Sequence, residues 1–233
     1  MQVEQLHRLE LGCKALDKLL CGGIESGVIT LVYGEAGSGK TNFALQAAIS
    51  CIKKGKKVIF VDTEGGFSAE RFLQMHNNVA DTKKILIIEP ENFAQQEQVI
   101  ADVEKIIARE NISLIIIDSL VALWRLELNN DNARLLNKRL ARNLAAFLAI
   151  ARQRKIPIIA TDQVWSSFKS RQLEMAAGDV PKFFCKCIIK LEKLGKGKRR
   201  AIIEKHRSVA EGQGVEFEIK NEGLIGLKKF RLF

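Results

Sequence analysis

The sequence predicts an α/β fold in which a mostly parallel central sheet has helices on both faces and a β-hairpin extension towards its C-terminal end. Strand-like and helix-like runs alternate through most of the chain, which is the pattern of a parallel sheet covered by helices. A glycine-rich motif separates the first apolar, β-rich run from the first long helical run. Residues 114–117 are apolar without a polar interruption, which is typical of a strand buried on both faces of a parallel sheet.

The predicted strands and helices follow one another in a regular order. Helix 40–54 stops at Gly55, and Ser68 can cap helix 67–77. Helix 95–110 carries its apolar residues on one side, as expected of a helix that packs on a sheet. The order is strand 28–33, helix 40–54, strand 58–62, helix 67–77, strand 85–88, helix 95–110, strand 114–118, helix 132–154 and strand 156–161.

The last part of the chain predicts consecutive strands instead of further strand–helix units. Strands 185–194 and 199–204 flank the turn at residues 195–197, so they predict a hairpin. Strands 214–219 and 224–225 extend the sheet in mixed orientation. Neither a linker nor an internal repeat divides the sequence, so we expect a single domain over residues 1–233.

Composition and charge narrow the function classes. The formal net charge is +10, and between residues 182 and 207 ten basic side chains face only two acidic ones. Such a cluster predicts a surface that binds a polyanion; the alternative is a basic surface that is only solvated. No apolar stretch is long enough to cross a membrane, and the N-terminus does not resemble a secretory signal, so we expect a cytoplasmic protein without membrane contact. The five scattered cysteines predict structural thiols.

The glycine-rich motif predicts a phosphate-binding loop for ATP and Mg²⁺. It follows a strand and opens a helix, as such a loop must. Backbone amides and the helix N-terminus can bind phosphate, Lys40 can reach the β- and γ-phosphates, and the Thr41 hydroxyl can ligate Mg²⁺. The predicted cofactor-binding residues here are Gly34, Glu35, Ala36, Gly37, Ser38, Gly39, Lys40, Thr41 and Asn42.

Two carboxylates end predicted strands close to this loop. Asp118 ends the apolar run, and the carboxyl ends of parallel strands form the ligand edge of such a sheet. We therefore expect Asp118 to hold Mg²⁺ together with Thr41; a helix cap or turn is the alternative. Glu64 follows strand 58–62, where a carboxylate can orient water towards the γ-phosphate as a catalytic base.

Several motifs in order resemble the RecA-type recombinases, in particular their archaeal and eukaryotic branch. The resemblance covers nearly the whole chain and implies a RecA-like ATPase core. It rests on Leu16-Asp17-Lys18-Leu19-Leu20 with Gly22-Gly23-Ile24-Glu25-Ser26-Gly27, on the phosphate loop, on residues 61–71 (Val-Asp-Thr-Glu-Gly-Gly-Phe-Ser-Ala-Glu-Arg), on Ile116-Ile117-Asp118-Ser119 and on Ala160-Thr161-Asp162-Gln163-Val164.

The resemblance implies roles for individual residues. Glu64, Lys40 and Gln163 would be the catalytic residues, with Gln163 sensing the γ-phosphate, and Arg71 would stack on the adenine. Lys205 or Arg207 would lie at a subunit interface, beside the ATP of a neighbouring copy. The segments after Asp118 and Gln163 would be two loops that face DNA. A main recombinase and a junction-resolving nuclease are the implied protein partners.

The sequence also departs from that family. The phosphate loop begins at residue 34, so we expect no N-terminal helix-hairpin-helix domain. No Phe-Thr-containing linker precedes the core, so a weak homo-oligomer is expected instead of a long filament. Asp162 stands where the recombinases usually have Asn.

Two basic regions predict contact with single-stranded DNA. Residues 164–182 contain no clear strand and combine aromatic with basic side chains, a pattern that suits stacking on bases and binding of phosphates. A short packed helix over residues 172–177 is the alternative. Helix 132–154 carries a basic stripe, for which a solvated face is the alternative. The predicted DNA-binding residues are Arg125, Arg134, Lys138, Trp165, Lys169, Arg171 and Lys182.

We therefore expect an ATP-dependent DNA-binding protein of homologous recombination and repair, accessory to a main recombinase and with a weak ATPase. A small-molecule phosphotransferase that uses the same loop is one alternative. A RecA-like scaffold that binds recombination partners without hydrolysis is another, and a circadian-clock-type or hexameric-helicase-type ATPase is a third.

Overall fold

The computed structural model describes residues 7–129, 131–166, 173–175 and 179–227. Its strands are β1 (Arg8–Leu9), β2 (Ile24–Glu25), β3 (Ile29–Gly34), β4 (Lys57–Asp62), β5 (Ile85–Ile88), β6 (Ile112–Asp118), β7 (Ile158–Ser166), β8 (Leu173–Met175), β9 (Cys187–Gly195), β10 (Lys198–Lys205), β11 (Gly214–Lys220) and β12 (Gly223–Gly226). Its helices are α1 (Lys14–Leu19), α2 (Lys40–Lys53), α3 (Ala69–His76), α4 (Phe93–Arg109), α5 (Ala122–Glu127), α6 (Ala133–Arg154) and α7 (Val180–Phe184), with a 3₁₀ turn at Val79–Lys84.

One large mixed sheet organises the described residues. Its strand order is β12-β11-β10-β9-β3-β7-β6-β4-β5, and β8 pairs with β7 outside this path. The strands from β9 to β5 are parallel, whereas β10, β11 and β12 add on antiparallel to their neighbours. The predicted α/β class, the largely parallel sheet and the C-terminal antiparallel extension are confirmed.

Helices cover the sheet on both faces, with one apolar core on each. Helices α1, α2 and α3 pack on one face, where Phe43 and Phe72 are fully buried. Helices α4, α5 and α6 pack on the other face around Phe93 and Phe147. The central strands alternate between the two cores, which explains their unbroken apolar sequence.

The described thiols behave as buried apolar groups. Cys13, Cys51, Cys185 and Cys187 are buried and Cys21 is exposed, and none forms a disulfide. Burial raises the pKa of Cys51 to about 11 and the pKa of both Cys185 and Cys187 to about 12. These buried thiols are therefore protonated and inert at neutral pH.

The structure corrects two predictions about loops. The segment after Gln163 is not strandless, because β7 continues to Ser166 and pairs antiparallel with β8. The alternative of a helix over residues 172–177 is wrong for the same reason. The segment after Asp118 is not a simple loop either. Residues 122–127 form α5, because burying Leu123 and Trp124 in the second core favours a helix there.

The short helices α1 and α7 were not predicted. Each is only one or two turns long, and such segments lack the repeated apolar spacing on which a helix prediction rests. Helix α1 buries Leu16 and Leu19, and α7 begins with Val180 and Pro181. Among the described residues, no helix combines the length and the apolar character that a membrane crossing requires.

Replacing Ser68 with alanine should lower the free energy of unfolding by about 1 kcal/mol. The Ser68 hydroxyl accepts a hydrogen bond from the backbone N–H of Arg71 at 3.0 Å and so caps α3. Urea denaturation followed by circular dichroism measures the change. Ser68→Asp keeps a capping oxygen and should remain close to the unsubstituted protein, whereas equal losses in both variants would contradict a capping role.

Candidate functional site

The carboxyl ends of β3, β4, β6 and β7 meet at one edge of the sheet. Asp62 and Asp118 are paired in register on β4 and β6, and Gly34 is paired with Gln163 on β3 and β7. Parallel pairing brings the strand ends together, so residues that are distant in sequence share one rim. This rim holds most of the predicted site residues.

The phosphate loop runs from Gly34 to Lys40, where α2 begins. Gly37 and Gly39 have φ of 70° and 103°, a region that favours glycine, and a Cβ on Gly39 would lie 2.7 Å from the side chain of Ile219. Lys40 Nζ donates to the carbonyl oxygens of Gly34 and Glu35, each at 3.0 Å. Burial lowers the pKa of Lys40, while the nearby carboxylates of Asp118 and Glu64 act in the opposite direction.

The Ser38 side chain is the orphaned polar group of this loop. Its hydroxyl oxygen is buried and has no hydrogen-bond partner among the described residues. Ser38 is fully buried and does not line the pocket over the loop, so a phosphate oxygen in that pocket would meet the helix N-terminus and the Lys40 ammonium instead. The loop therefore fits a nucleotide phosphate chain.

Asp118 accepts hydrogen bonds from two threonines. Thr41 Oγ1 donates to Asp118 Oδ2 at 2.7 Å, and Thr161 Oγ1 donates to Asp118 Oδ1. Burial raises the pKa of Asp118, and the two threonine hydrogen bonds oppose this shift. Among the residues the structure describes, no cluster of three or more His, Cys, Asp or Glu side chains could hold a metal ion. The Thr41–Asp118 pair suits Mg²⁺ that takes its other ligands from phosphate and water.

Glu64, Ser119 and Gln163 form a second group on the same rim. Glu64 Oε1 accepts from Ser119 Oγ at 2.6 Å, and Gln163 Nε2 donates to the two Glu64 oxygens at 3.3 and 3.1 Å. Glu64 is exposed to solvent. The two residues that the resemblance assigns to catalysis and to γ-phosphate sensing are thus in direct contact.

Asp62 shapes the loop that carries Glu64. Its carboxylate is buried and accepts from the backbone N–H groups of Glu64, Gly66 and Phe67 at 3.2, 3.0 and 2.9 Å. These bonds hold residues 64–67 in a turn over the end of β4. Neither Asp62 nor Ser119 was predicted to have a role; the available signal was a polar residue at the end of a buried strand for Asp62 and directly after one for Ser119.

Arg71 is hydrogen-bonded to the start of α2 and to the turn between β11 and β12. Its Nε donates to Asn42 Oδ1 at 2.8 Å, and its Nη atoms donate to the carbonyl oxygens of Lys220 and Asn221 at 2.7 and 3.1 Å. Burial lowers the pKa of Arg71. The side chain joins α2 and α3 to the turn between β11 and β12, and adenine stacking by this guanidinium stays a prediction.

The C-terminal strands contribute a wall of the site that the sequence analysis missed. A pocket of about 400 Å³ lies over the phosphate loop, and it is lined by Gly197 from the turn between β9 and β10, by Arg199 from β10 and by Ile219 from β11. The remaining lining residues are Gly37, Gly39, Lys40, Thr41 and Asn42. The basic cluster at residues 182–207 was recognised in the sequence. Its contact with the phosphate loop depends on the direction in which the β9–β10 hairpin packs.

The predicted DNA-binding residues fall into separate places. Arg134 and Lys138 are exposed on α6, whereas Arg125 is half-buried in α5. Trp165 lies on β7, and Lys182 on α7 forms an ion pair with Asp179 at 2.8 Å. Lys169 and Arg171 lie outside the described residues.

Arg139 does not belong to the exposed stripe of α6. Its guanidinium pairs with Glu97 at 2.7 Å and with Glu127 at 3.1 Å, and it lies 4.8 Å from the centre of the Phe93 ring. This side chain therefore joins α4, α5 and α6, while Arg134, Lys138 and Arg142 remain exposed.

The two predicted interface cations lie away from the phosphate loop of their own chain. Lys205 is in register with Ile188 near the start of β9, whereas Gly34 is in register with Leu191 further along that strand. Lys205 Nζ donates to the carbonyl oxygen of Lys182 at 2.5 Å, and Arg207 pairs with the buried Glu25 at 2.7 Å. Their predicted role beside the ATP of a neighbouring copy stays a prediction.

Comparison with known proteins supports the motif-based resemblance. The Rad51 family matches residues 2–226. A protein named DNA repair and recombination protein RadB from Methanococcoides burtonii is 47% identical over 94% of this chain and 97% of its own. Its namesake from Methanosphaera stadtmanae is 42% identical over 91% of this chain and 93% of its own.

A solved structure agrees with the fold. The crystal structure titled RadB recombinase superposes with a TM-score of 0.81 and 37% identity, covering 94% of this chain and all of the other. A family match over nearly the whole chain and relatives above 40% identity lead to one conclusion: the chain belongs to the Rad51 family.

Proposed function

We propose that this protein is an ATP-dependent DNA-binding protein of homologous recombination and DNA repair, accessory to a main recombinase and with a weak ATPase. Family membership supports recombination and repair as the process, since the relatives are named for it. The contacts at the rim of the sheet support nucleotide control of DNA binding.

The single observation that carries the proposal is the hydrogen bond between Gln163 and Glu64. Gln163 lies on β7, two residues before Trp165, and the same strand continues into the pairing with β8. A γ-phosphate near Glu64 would compete for the Gln163 amide, because both are anionic acceptors. The choice of partner by Gln163 would then alter the strand that leads into the basic and aromatic segment.

The residues present fit ATP with Mg²⁺. Lys40 and the loop amides would hold the phosphates, while Thr41 and Asp118 would hold the ion. When bound, ATP and Mg²⁺ supply the transferable phosphoryl group and the positive charge that stabilises its transfer. Glu64 orients a water and accepts its proton, and Ser119 together with Gln163 holds the carboxylate in place.

We expect slow ATP hydrolysis, because Lys205 and Arg207 do not supply a cation to Glu64 of their own chain. Lys205 and Arg207 are bound to groups elsewhere in their own chain, so a charge-stabilising cation from that segment has to come from a second copy. We propose that such copies associate weakly. Hydrolysis should accordingly rise with protein concentration.

We propose single-stranded DNA as the nucleic acid ligand and phosphates as the main contact. Arg134 and Lys138 present charge on α6, and Trp165 with Lys182 lies on elements that flank the segment after Gln163. Protein partners would be a main recombinase and a junction-resolving nuclease. The side chains of Leu126 and Leu135 are 82% and 60% exposed, and these leucines offer apolar surface for such a partner.

Binding of a fluorescent single-stranded oligonucleotide should be tighter with Mg·ATP than with Mg·ADP or without nucleotide. The expected difference is about 5- to 150-fold, the usual range of coupling between two sites. Affinity should also fall steeply between about 50 and 200 mM salt, because phosphate contacts release counterions. Fluorescence anisotropy in each nucleotide state measures both effects.

Gln163→Ala is the matched control for this coupling. It should bind ATP normally and bind the oligonucleotide with one affinity in every nucleotide state. Identical affinities for the unsubstituted protein under all conditions, or no binding at all, would overturn the proposed function.

A further inference from the structure

Two basic side chains of the β9–β10 hairpin lie against the phosphate loop of their own chain. Lys193 and Arg199 are in register on the paired strands. Arg199 Nη2 donates to the carbonyl oxygen of Gly37 at 2.9 Å. The Lys193 ammonium lies 3.6 Å from the position that a Cβ on Gly37 would occupy. Both cations therefore reach the same glycine of the loop.

Their place in the hairpin is unusual for charged residues. Residues paired across antiparallel strands point to the same face, and alternate residues along a strand share that face. On this face Leu191, Ala201 and Phe217 are buried in the first core. Lys193 follows Leu191 on this face of β9, and Arg199 precedes Ala201 on the same face of β10. The apolar face therefore ends in two cations where it meets the phosphate loop.

Neither cation is neutralised within the described residues. Their neighbours are paired with acids: Lys190 with Glu192 at 3.0 Å and Arg200 with Glu216 at 2.6 Å. No carboxylate in the described part of the chain lies within ion-pair distance of Lys193 or Arg199. Two like charges directly opposite each other destabilise a strand pair, so an anion bound between them would be stabilising.

The guanidinium of Arg199 also retains an unused donor. Its Nη1 donates to the carbonyl oxygens of Lys198 and Gly195 at 2.8 and 3.5 Å. Its Nε is buried and has no hydrogen-bond partner in the parts of the chain that the structure describes. These carbonyl contacts orient the group beside Gly37 without cancelling its charge, and Arg199 lines the pocket over the loop.

We propose that Lys193 and Arg199 bind the phosphate chain of the nucleotide in cis, together with Lys40. This proposal rests on the proposed binding of ATP at the phosphate loop. It goes further in assigning two binding residues to the C-terminal hairpin. Because both cations come from the same chain as the loop, nucleotide affinity should not depend on protein concentration, even if hydrolysis does.

Arg199→Ala and Lys193→Ala should each weaken Mg·ATP binding about tenfold, the usual loss for one charge-assisted contact. The double variant should lose more than either single one, and Arg199→Lys should retain part of the affinity. Titration of a fluorescent ATP analogue at several protein concentrations measures these effects. Thermal melting without nucleotide checks that each variant is folded.

Arg200→Ala is the matched control, since it removes a neighbouring guanidinium that is paired with Glu216. It should bind ATP like the unsubstituted protein. Normal ATP affinity in the Lys193 and Arg199 variants would overturn the inference, and so would an Arg199→Ala variant that melts earlier but binds ATP normally. In those cases loss of binding by Lys40→Ala would still support the proposed function, whereas absence of ATP binding by the unsubstituted protein would overturn both.

Discussion

Replacing Lys40 with alanine should weaken Mg·ATP binding at least about 100-fold, because two charge-assisted contacts to phosphate are lost at about 1.5 kcal/mol or more each. The same variant should bind single-stranded DNA with one affinity whether or not ATP is present. Isothermal titration calorimetry measures the first effect, and fluorescence anisotropy with labelled oligonucleotide measures the second.

The fold should survive this substitution. Lys40 is buried, and burial lowers its pKa, so alanine removes a charge that is costly to bury. The buried Asp118 carboxylate loses a nearby cation but keeps its hydrogen bonds from Thr41 and Thr161. Lys53 lies exposed at the other end of α2, and Lys53→Ala is the control for a change of one positive charge on that helix. Unaltered ATP binding by Lys40→Ala would rule out the phosphate loop as the nucleotide site.

Replacing Glu64 with glutamine should lower ATP hydrolysis by about 100- to 10,000-fold, the usual contribution of a general base. The substitution keeps the shape of the side chain and removes its ability to accept a proton. ATP binding and its effect on DNA affinity should persist, because Lys40 and the loop amides are unchanged. Phosphate release at saturating ATP, with and without single-stranded DNA, measures the rate.

Glu70→Gln is the control for this substitution, because Glu70 is an exposed carboxylate in the first turn of α3. It should hydrolyse ATP at the original rate. If Glu64→Gln were equally active, another group would have to orient the water, and the Glu64–Ser119–Gln163 contacts would then have a purely structural role.

The sequence was sufficient to predict the site residues that belong to one contiguous motif or that stand at the end of a strand. Residues 34–41 form one contiguous motif, and Asp118 directly follows an apolar strand, so pattern and position identify them. The pairing of Glu64 with Gln163 joins the loop after β4 to β7. Their proximity followed from parallel topology, but the hydrogen bond itself required the side-chain positions.

Predictions failed where an element is short or where packing overrides local preference. Helix α5 has six residues and forms because Leu123 and Trp124 are buried beneath it. The end of β7 and the short strand β8 form because each offers the other a backbone to pair with. Whether a segment becomes a strand depends on such neighbours more than on the intrinsic preference of its residues.

The α/β architecture and the phosphate loop could be predicted without coordinates, since the first depends on periodicity and the second on a contiguous motif, while several motifs in order carried the family resemblance. The side-chain positions were needed to show that Arg139 joins three helices and that Lys193 and Arg199 lie over Gly37. The physical reason is that a charged side chain has the same sequence signature on a solvated face and beside a binding site. The direction in which a hairpin packs against the sheet separates the two, and that direction is set by contacts between residues more than 150 positions apart.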